Sequence, residues 1–328
     1  MKQVTKGSWN GYDTYILHSQ ELEVTLLPRL GNNVIALRDL VQERDILRTP
    51  AESELEYYML KPYHFGIPLL IPPGRLRKGR FHYEGADYRF TPNSGDNHIH
   101  GLHRTQSWCV SDIEEDEEGC AVVTEFLTQN DPDWMEQFPV PLKLEMTFRL
   151  QNASLHQTLK VTHLGEREQP VPFGIGYHSW FHLDGQPERW QLILPAQAVY
   201  ELDAGLIPSG GLLPLGSLEA LHQGMNLQGA ILDTILRVGG DQAAEAVMLR
   251  EDGYGLRYSA DSEYFRHWVV YTNGTADRFL CIEPYTWLPD APNLAKDEDF
   301  TGLISLVPGQ TVALRTSLEL LYPHPEAP

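Results

Sequence analysis

The segment LKLEMTFRL, at positions 142–150, decides the fold class of this chain. Apolar residues occupy every second position, and charged or hydroxyl side chains fill the positions between them. Alternation of this kind predicts a β-strand with one face buried and one face in water, because successive side chains of a strand point to opposite faces. We therefore predict that this segment is a half-buried strand.

The same pattern recurs on both sides of this segment. Alternating or β-rich runs lie at positions 22–26, 155–161, 268–272, 279–282 and 312–320. Only 51–60 and 217–223 are predicted as short helices, and the acidic run at 112–118 is predicted as a hairpin tip. Glycine and proline, with 27 and 23 residues, punctuate the chain throughout. Many short strands with frequent turn signals predict an all-β sandwich or barrel. Without an internal repeat or a linker, we predict one domain over residues 1–328.

Composition restricts the partners of the chain. The 328 residues carry a formal net charge of −20, which repels nucleic acid phosphates and anionic membrane surfaces. The cysteines Cys109, Cys120 and Cys281 lack metal-ligand spacing, as expected for free thiols in a reducing cytoplasm. Residues 1–10 lack the apolar segment of a signal peptide, and the most apolar stretch, 65–73, is too short to span a bilayer. We expect a cytoplasmic protein that binds a small molecule. That molecule is either neutral, or anionic and held by a local basic patch.

A first candidate site is the histidine cluster NHIHGLH at positions 97–103. Two histidines separated by one residue can bind a metal from one side of a strand. Arg104 to Ser107 follow here, in place of the glutamate that follows within a few residues in cupin metal sites. A second interpretation makes His100 a polar contact or proton donor in a sugar site. A third leaves these histidines as loop residues bonded to the backbone.

A second candidate is PFGIGYHSWF at positions 172–181. Its two glycines allow close backbone approach or a bulge. His178 is flanked by Tyr177, Trp180 and Phe181, whose rings could stack on the C–H faces of a pyranose. The alternative is a buried aromatic strand with one hydrogen-bonded histidine.

The third candidate is LCIEPYTW at positions 280–287. We predict that Glu283 ends a strongly apolar strand, because Pro284 should stop the hydrogen-bond ladder. Desolvation at such a strand rim would raise the pKa of the carboxyl group and make it a stronger base. The structural alternative is an ion pair between Glu283 and Arg278.

The fourth candidate is the basic segment PPGRLRKGR at positions 72–80. A turn at Lys78 and Gly79 predicts a hairpin that leaves part of this charge on the surface. Arg75 is the candidate for a site role, because the planar guanidinium binds anions or sugar hydroxyls through paired donors. Asp233, after an apolar pair, is by itself typical of a turn.

In this order along the chain, the motifs resemble the aldose 1-epimerase family, also called galactose mutarotases. The resemblance extends from about Tyr12 to Tyr322 and rests on the segments GR at 74–75, NHIHG at 97–101, GYHSWF at 176–181, LD at 232–233 and CIEP at 281–284. It implies a large antiparallel β-supersandwich with the site in a cleft on one broad face. It also implies an isomerase that interconverts the α and β anomers of a hexose without cofactor or metal.

The resemblance assigns roles to three residues. Glu283 would be the general base at the anomeric hydroxyl, and His178 would be the general acid at the ring oxygen. His100 would assist at the ring oxygen or at nearby hydroxyls. The chemistry suits these residue types, because mutarotation removes the O1 proton while the ring oxygen gains one. A histidine titrates near neutral pH, and a desolvated glutamate can be tuned upward.

The resemblance also implies that Arg75 and Asp233 bind sugar hydroxyls, and we expect Asn97 and Trp180 to contact the sugar as well. The family often has asparagine at the position of Gly74 and a second glycine at the position of Leu102, so the identity of the sugar is left open. A mutarotase for a phosphorylated, sulfonated or uronic sugar, and a non-catalytic carbohydrate-binding protein, are the alternatives. We expect a monomer or homodimer with no nucleic acid or membrane partner.

Overall fold

The fold is described from a computed structural model that covers residues 3–166, 170–239, 244–272 and 278–323. The segment that decides the fold class forms the strand Leu142–Gln151, in which buried residues alternate with half-buried ones along the whole length. Its neighbours on both sides run antiparallel to it. The alternation therefore predicted both the element and its buried face correctly.

Short strands are the most abundant secondary structure in the described chain. The first group is β1 (Gln3–Trp9), β2 (Tyr12–His18), β3 (Leu22–Leu27), β4 (Asn33–Asp39), β5 (Arg44–Asp45), β6 (Leu69–Leu70), β7 (Arg75–Leu76), β8 (Arg80–Tyr83), β9 (Ala86–Arg89) and β10 (His98–Ile99). The second group is β11 (Cys109–Glu115), β12 (Cys120–Leu127), β13 (Leu142–Gln151), β14 (Ser154–His163), β15 (Val171–Phe173), β16 (Gly176–Tyr177), β17 (Ser179–His182), β18 (Trp190–Ile193) and β19 (Ala196–Leu202). The third group is β20 (Pro208–Leu213), β21 (Met225–Asn226), β22 (Asp233–Val238), β23 (Glu245–Arg250), β24 (Gly255–Ala260), β25 (His267–Tyr271), β26 (Phe279–Tyr285), β27 (Ile304–Leu306) and β28 (Thr311–Leu321).

Helices are few and short. The α-helices are α1 (Leu55–Leu60), α2 (Pro132–Gln137) and α3 (Glu298–Thr301). The 3₁₀ segments are Glu52–Glu54, Pro62–His64, Arg77–Gly79, Thr128–Asn130, Pro187–Arg189, Gly216–His222 and Ala291–Asn293. Both predicted helices are therefore present, the second as a 3₁₀ segment. No helix in the described ranges combines the length and the apolar character needed to cross a bilayer.

Two large antiparallel sheets form the sandwich. The first has nine strands in the order β11-β12-β13-β14-β28-β24-β23-β18-β21. The second has eight strands, β20-β19-β22-β25-β26-β16-β6 with β17 beside β26, and a smaller five-stranded sheet joins β1 to β5. The acidic run at 112–118 was predicted as a hairpin tip, but its first half belongs to edge strand β11 and the tip begins after Glu115. An edge strand tolerates this charge, because its outer side is not paired.

The core lies between the two large sheets. Leu144 and Leu314 of the nine-stranded sheet share one buried cluster with Leu236 and Ile282 of the eight-stranded sheet, and each is at most 1% exposed. Because side chains alternate along a strand, the residues next to Ile282 on β26 point away from this core, to the other face of the eight-stranded sheet. The outer face of that sheet is therefore where Glu283 is presented.

The loop after β10 approaches the backbone of the preceding strand region very closely. Gly101 has a φ of +65°, and a Cβ there would lie 1.9 Å from the carbonyl oxygen of Ile71. We expect Gly101→Ala to lower the free energy of unfolding by about 2–4 kcal/mol, since it adds a backbone clash to a strained φ. Urea denaturation measures this change.

Gly95→Ala is the matched control for this substitution. Gly95 has a φ of +60° in the same region, but nothing lies within 4 Å of a Cβ placed there. Only the cost of the left-handed backbone should remain, about 1 kcal/mol. If Gly101→Ala and Gly95→Ala lost the same free energy of unfolding, the contact with Ile71 would not constrain position 101.

Candidate active site

A cavity of about 230 Å³ opens on the outer face of the eight-stranded sheet. It is lined by Tyr63, His64, Gly74, Arg75, Ile99, His100, His178, Trp180, Leu202, Leu206, Asp233, Ile235, Val269, Tyr271, Glu283, Tyr285 and Pro289. Its volume lies below the range of about 300–1,000 Å³ that is typical of pockets for drug-sized ligands. The cavity therefore suits one small molecule that is recognised by convergent polar groups.

Glu283 lies in the middle of β26, opposite Val269 of β25. The prediction that Pro284 stops the ladder was wrong, because β26 continues to Tyr285. On the other side of β26 the pairing passes from β17 to β16 and is interrupted at His178. The missing N–H of Pro284 falls where this ladder is already broken, which is how a strand interior accepts a proline.

The carboxyl group of Glu283 is buried, with 2% of the residue exposed. The hydroxyl of Tyr285 donates a hydrogen bond to its Oε2 at 2.5 Å. Its Oε1 lies 3.3 Å from Nδ1 of His178. Within the described residues the titratable side chain at ion-pair distance is thus His178, and the alternative pairing with Arg278 is wrong. Glu283 therefore borders the cavity, and one of its two carboxyl oxygens is held by the hydrogen bond from Tyr285.

His178 is fixed by stacking and by its backbone. Its ring lies parallel to the indole of Trp180, with centroids 5.3 Å apart and 4° between the planes. Its backbone N–H donates to the carbonyl of Pro68. Although Nδ1 is close to Glu283, the alignment does not form a hydrogen bond, and this buried atom has no partner among the described residues. The imidazole is therefore held in place, while its Nδ1 still lacks a hydrogen-bond partner among the described residues.

Burial shifts the two titrating groups in opposite directions. Desolvation raises the pKa of Glu283 well above its usual value, and the hydrogen bond from Tyr285 opposes this rise. Desolvation, with a smaller contribution from the charge of His64, lowers the pKa of His178 to about 3. Both shifts favour the neutral forms. The surroundings of the pair therefore favour a protonated carboxyl group next to a neutral imidazole.

His100 reaches the cavity through an unusual backbone conformation. Its φ is +61°, which ends the extended strand β10, and its backbone N–H donates to the carbonyl of Gly74 at 2.9 Å. Its ring centroid lies 5.2 Å from that of His178. Desolvation lowers the pKa of His100 well below its usual value, so the ring is neutral near pH 7. Its buried Nδ1 has no hydrogen-bond partner among the described residues, so it can bond a ligand.

The structure brings three of the four predicted binding residues to the cavity. Arg75 on β7 and Asp233 at the start of β22 line it, as does Trp180, whose Nε1 donates to the carbonyl of Tyr63 at 2.7 Å. Asn97 is not among the lining residues, so its predicted contact with the sugar is not supported. Its Oδ1 accepts the backbone N–H of Lys78 at 3.0 Å, which makes it part of the loop structure.

Four aromatic or histidine residues of the cavity were not predicted as site residues. These are Tyr63, His64, Tyr271 and Tyr285. A histidine between aromatic residues is the same signal that singled out His178, and the segment YHF at 63–65 contains it. The tyrosines carry no such signal, since tyrosine is common in buried strands.

The two histidines of the H-x-H motif face different surroundings. His98 bonds through Nδ1 to the carbonyl of Thr91 at 2.7 Å, whereas His100 lines the cavity. The positive φ of His100 breaks the extended geometry that would have placed both rings on one side. Among the described residues, the cluster with metal-ligand spacing consists instead of His178, Cys281 and Glu283.

The two departures from the family pattern have different consequences. Gly74 has a φ of +67° and lines the cavity, and a Cβ there would lie 2.4 Å from the side chain of Pro289. Leu102 is 8% exposed and belongs to the main core cluster. Only the change at Gly74 therefore alters the wall of the cavity.

Comparisons with known proteins agree with this architecture. A family model described as aldose 1-epimerase matches residues 13–319. The galactose mutarotase of Rattus norvegicus is 28% identical over 167 residues, and the match covers 50% of this chain and 46% of that protein. The chain thus spans about half the length of the curated relatives it matches first.

Solved structures share the fold over almost the whole chain. A galactose mutarotase-like protein from Clostridium acetobutylicum has a TM-score of 0.91 at 22% identity, with 97% of this chain and 98% of that chain covered. The galactose 1-epimerase from Lactobacillus acidophilus has a TM-score of 0.78 at 18% identity, with 99% and 100% covered. At such identities the similarity establishes the fold, and it confirms the predicted antiparallel β-supersandwich.

Proposed function

The chain belongs to the aldose 1-epimerase family, as its motifs predicted, and on this premise we propose that it is an isomerase that interconverts the α and β anomers of a free hexose. The observation that carries the proposal is the convergence of the carboxyl group of Glu283 and the imidazole of His178 on one cavity, with 3.3 Å between Oε1 and Nδ1. An acid and a base at one small polar site are what anomer exchange requires.

In the proposed reaction Glu283 accepts the proton of the anomeric hydroxyl while His178 donates a proton to the ring oxygen. The bond between C1 and the ring oxygen breaks, and the open-chain aldehyde forms. Rotation about C1–C2 presents the other face of the carbonyl group, and the two proton transfers then run backwards. The reaction consumes no net proton, so one proton shared between the two side chains is sufficient.

This proton has two locations in the cycle. Before ring opening the pair must hold it on His178, and after ring opening the pair holds it on Glu283. The opposite pKa shifts of the two groups favour the second location in the free enzyme. Hydrogen bonds from the bound sugar to the carboxylate would favour the first, because they stabilise the charged form. The active form of the free enzyme therefore carries one proton on the pair.

The remaining polar residues would hold the sugar. His100 is neutral, and its Nδ1 has no partner in the described part of the chain, so it can bond the ring oxygen or a neighbouring hydroxyl. Arg75 and Asp233 supply donors and acceptors at the cavity wall. Trp180 lines the cavity beside His178 and supports its ring by stacking.

The proposal is tested by polarimetry or NMR exchange on freshly dissolved α-anomers of glucose, galactose and further aldoses. We expect the purified chain to accelerate anomer equilibration over buffer for at least one of them. Each acid or base group typically contributes about 10²–10⁴-fold. No acceleration for any aldose, neutral or anionic, would refute the enzymatic function.

A second candidate is a mutarotase for an anionic sugar, and one observation favours it. Among the described residues Arg75 has no carboxylate within ion-pair distance, although it lines the cavity of a strongly acidic chain. Arg77 is by contrast bound to Asp203 and Asp290, and it does not line the cavity. If the substrate is anionic, KM should rise with salt concentration, because charge contacts are screened.

The proton inventory predicts the pH dependence of kcat/KM. Activity should fall at low pH when the pair gains a second proton, at a pH set by the low pKa of His178. It should fall at high pH when the pair loses its proton, at a pH set by the raised pKa of Glu283. We expect Tyr285→Phe to move this alkaline limb upward by about one pH unit, because one hydrogen bond to the carboxylate is lost.

Tyr200→Phe is the control for this change. Tyr200 is a buried tyrosine whose hydroxyl bonds His267 and which does not line the cavity. Its removal should leave the pH profile of kcat/KM unchanged. An alkaline limb that stays in place or moves downward in Tyr285→Phe would contradict the role of Tyr285 in stabilising the carboxylate.

A further inference from the structure

Cys281 is a fully buried thiol next to the proton-transfer pair, and the proposed reaction gives it no role. It lies two residues before Glu283 on β26, so both side chains point to the same face of the sheet. Its neighbours across the two adjoining strands are Trp180 and Tyr271, which both line the cavity. The thiol therefore lies beneath the cavity wall, behind these lining residues, and Cys281 is not itself one of them.

Three metal-binding side chains meet at this point. His178, Cys281 and Glu283 each offer one ligand atom, and these atoms all lie within 4.8 Å of one another. All three residues are buried, and Glu283 and Cys281 are 2% and 0% exposed. Small inward movements would bring such atoms to the separations of a tetrahedral site, in which metal–ligand bonds are about 2.0–2.3 Å.

A second observation also indicates a ligand. Nδ1 of His178 is buried and has no hydrogen-bond partner in the described chain, although the residue is only 6% exposed. A buried polar atom without a partner costs free energy, so a ligand that bonds it is favoured. A cation placed between the thiol, the imidazole and the carboxyl group would satisfy this atom.

We propose that His178, Cys281 and Glu283 form an inhibitory site for a thiophilic divalent cation, with zinc as the first candidate. One nitrogen, one thiolate sulfur and one carboxylate oxygen are the ligand types that zinc prefers, and the cavity leaves a fourth position for water or a sugar hydroxyl. On binding, the thiol and the carboxyl group each release a proton to the solvent. The inhibition rests on the proposed function, because the cation occupies the groups that transfer protons.

Binding is tested without reference to activity by titrating the whole protein with Co²⁺, which adopts the same geometry and is coloured. The wild type should develop a near-ultraviolet thiolate-to-cobalt band that zinc abolishes by displacement. Cys281→Ser and Cys281→Ala should both lack this band. Two substitutions are used so that the test does not depend on the correct folding of either variant alone. Cys109→Ser, at an exposed cysteine on β11 of the other large sheet, should keep it.

Inhibition is tested on the sugar that polarimetry identifies. Zinc should slow mutarotation by the wild type and EDTA should restore it, whereas Cys281→Ser should need at least about tenfold more zinc for the same effect. Absence of the thiolate band in the wild type, or equal zinc sensitivity in wild type and Cys281→Ser, would overturn the proposal. A chain that binds Co²⁺ through the thiolate but shows no mutarotation would refute the proposed function and leave the metal site standing.

Discussion

Glu283→Gln is expected to lower kcat for mutarotation by about 10²–10⁴-fold and to change KM little. Glutamine keeps the size of the side chain and an oxygen that can accept the hydrogen bond from the Tyr285 hydroxyl, which the carboxylate now accepts at 2.5 Å. It cannot accept the proton of the anomeric hydroxyl. The loss should therefore fall on proton transfer and not on sugar binding.

The measurement combines polarimetry with calorimetric titration of the sugar. The Kd for the sugar should change by no more than about threefold in Glu283→Gln. Such a change corresponds to less free energy than one hydrogen bond typically contributes. Glu245→Gln is the matched control, because Glu245 lies on β23 of the other large sheet and pairs with Arg257 at 3.7 Å. Full activity in Glu283→Gln would remove this residue from the reaction. Sugar binding with no activity in either the wild type or the variant would favour a non-catalytic carbohydrate-binding protein.

The fold could be predicted largely from the sequence, because one-sided burial imposes a period of two. The strands β13 and β28 of the nine-stranded sheet show this period, and the structure buries the predicted face of each. A strand at the centre of the eight-stranded sheet gives a weaker signal. In β26 six of seven residues are buried, so no alternation shows which face carries Glu283.

The site could be predicted in part, and the misses have physical causes. His178, His100, Arg75 and Asp233 carry the family motifs and line one cavity. Asn97 belongs to the same motif as His100, yet its side chain bonds the backbone of Lys78 and does not line the cavity. Residues three positions apart point to opposite sides of an extended chain, so sharing a motif does not mean sharing a site.

Contacts between distant segments were beyond the reach of sequence motifs. Tyr63 and His64 follow a short helix and reach the cavity because the chain folds back over the outer face of the sheet. The Tyr63 ring lies 5.0 Å from that of His100 and 6.3 Å from that of His178. Such a contact depends on tertiary packing, for which local patterns carry no information.

His178→Asn is the second substitution with a large expected effect. We expect kcat to fall by about 10²–10⁴-fold, because asparagine keeps a polar group near the position of Nδ1 but cannot donate a proton to the ring oxygen as an acid. The alkaline limb of the pH profile should disappear with it, because the variant has no acid to lose and needs only the ionised carboxylate. Activity should instead fall below the raised pKa of Glu283. NMR exchange measured from acidic to alkaline pH would follow both changes.

Two other histidines serve as comparisons. His100→Asn should lower kcat by only about tenfold, the equivalent of one hydrogen bond to the sugar. His98→Asn should leave kcat unchanged, because His98 bonds the carbonyl of Thr91 and lies outside the cavity lining. The substitution His98→Asn should instead lower the free energy of unfolding. A larger effect of His100→Asn than of His178→Asn would reverse the assigned roles of these two histidines.

The double variant Glu283→Gln/His178→Asn tests whether the two groups act as one unit. Their facing atoms are 3.3 Å apart, and the proposed cycle moves one proton between them. Once either group is lost, the shared proton has no second location, so the other group has little catalysis left to contribute. The double variant should therefore be only about as slow as the slower single variant, within roughly threefold, as for residues that act as a unit. Additive losses, in which the fold-loss of the double variant equals the product of the two single fold-losses, would mean that Glu283 and His178 act independently and that no shared proton links them.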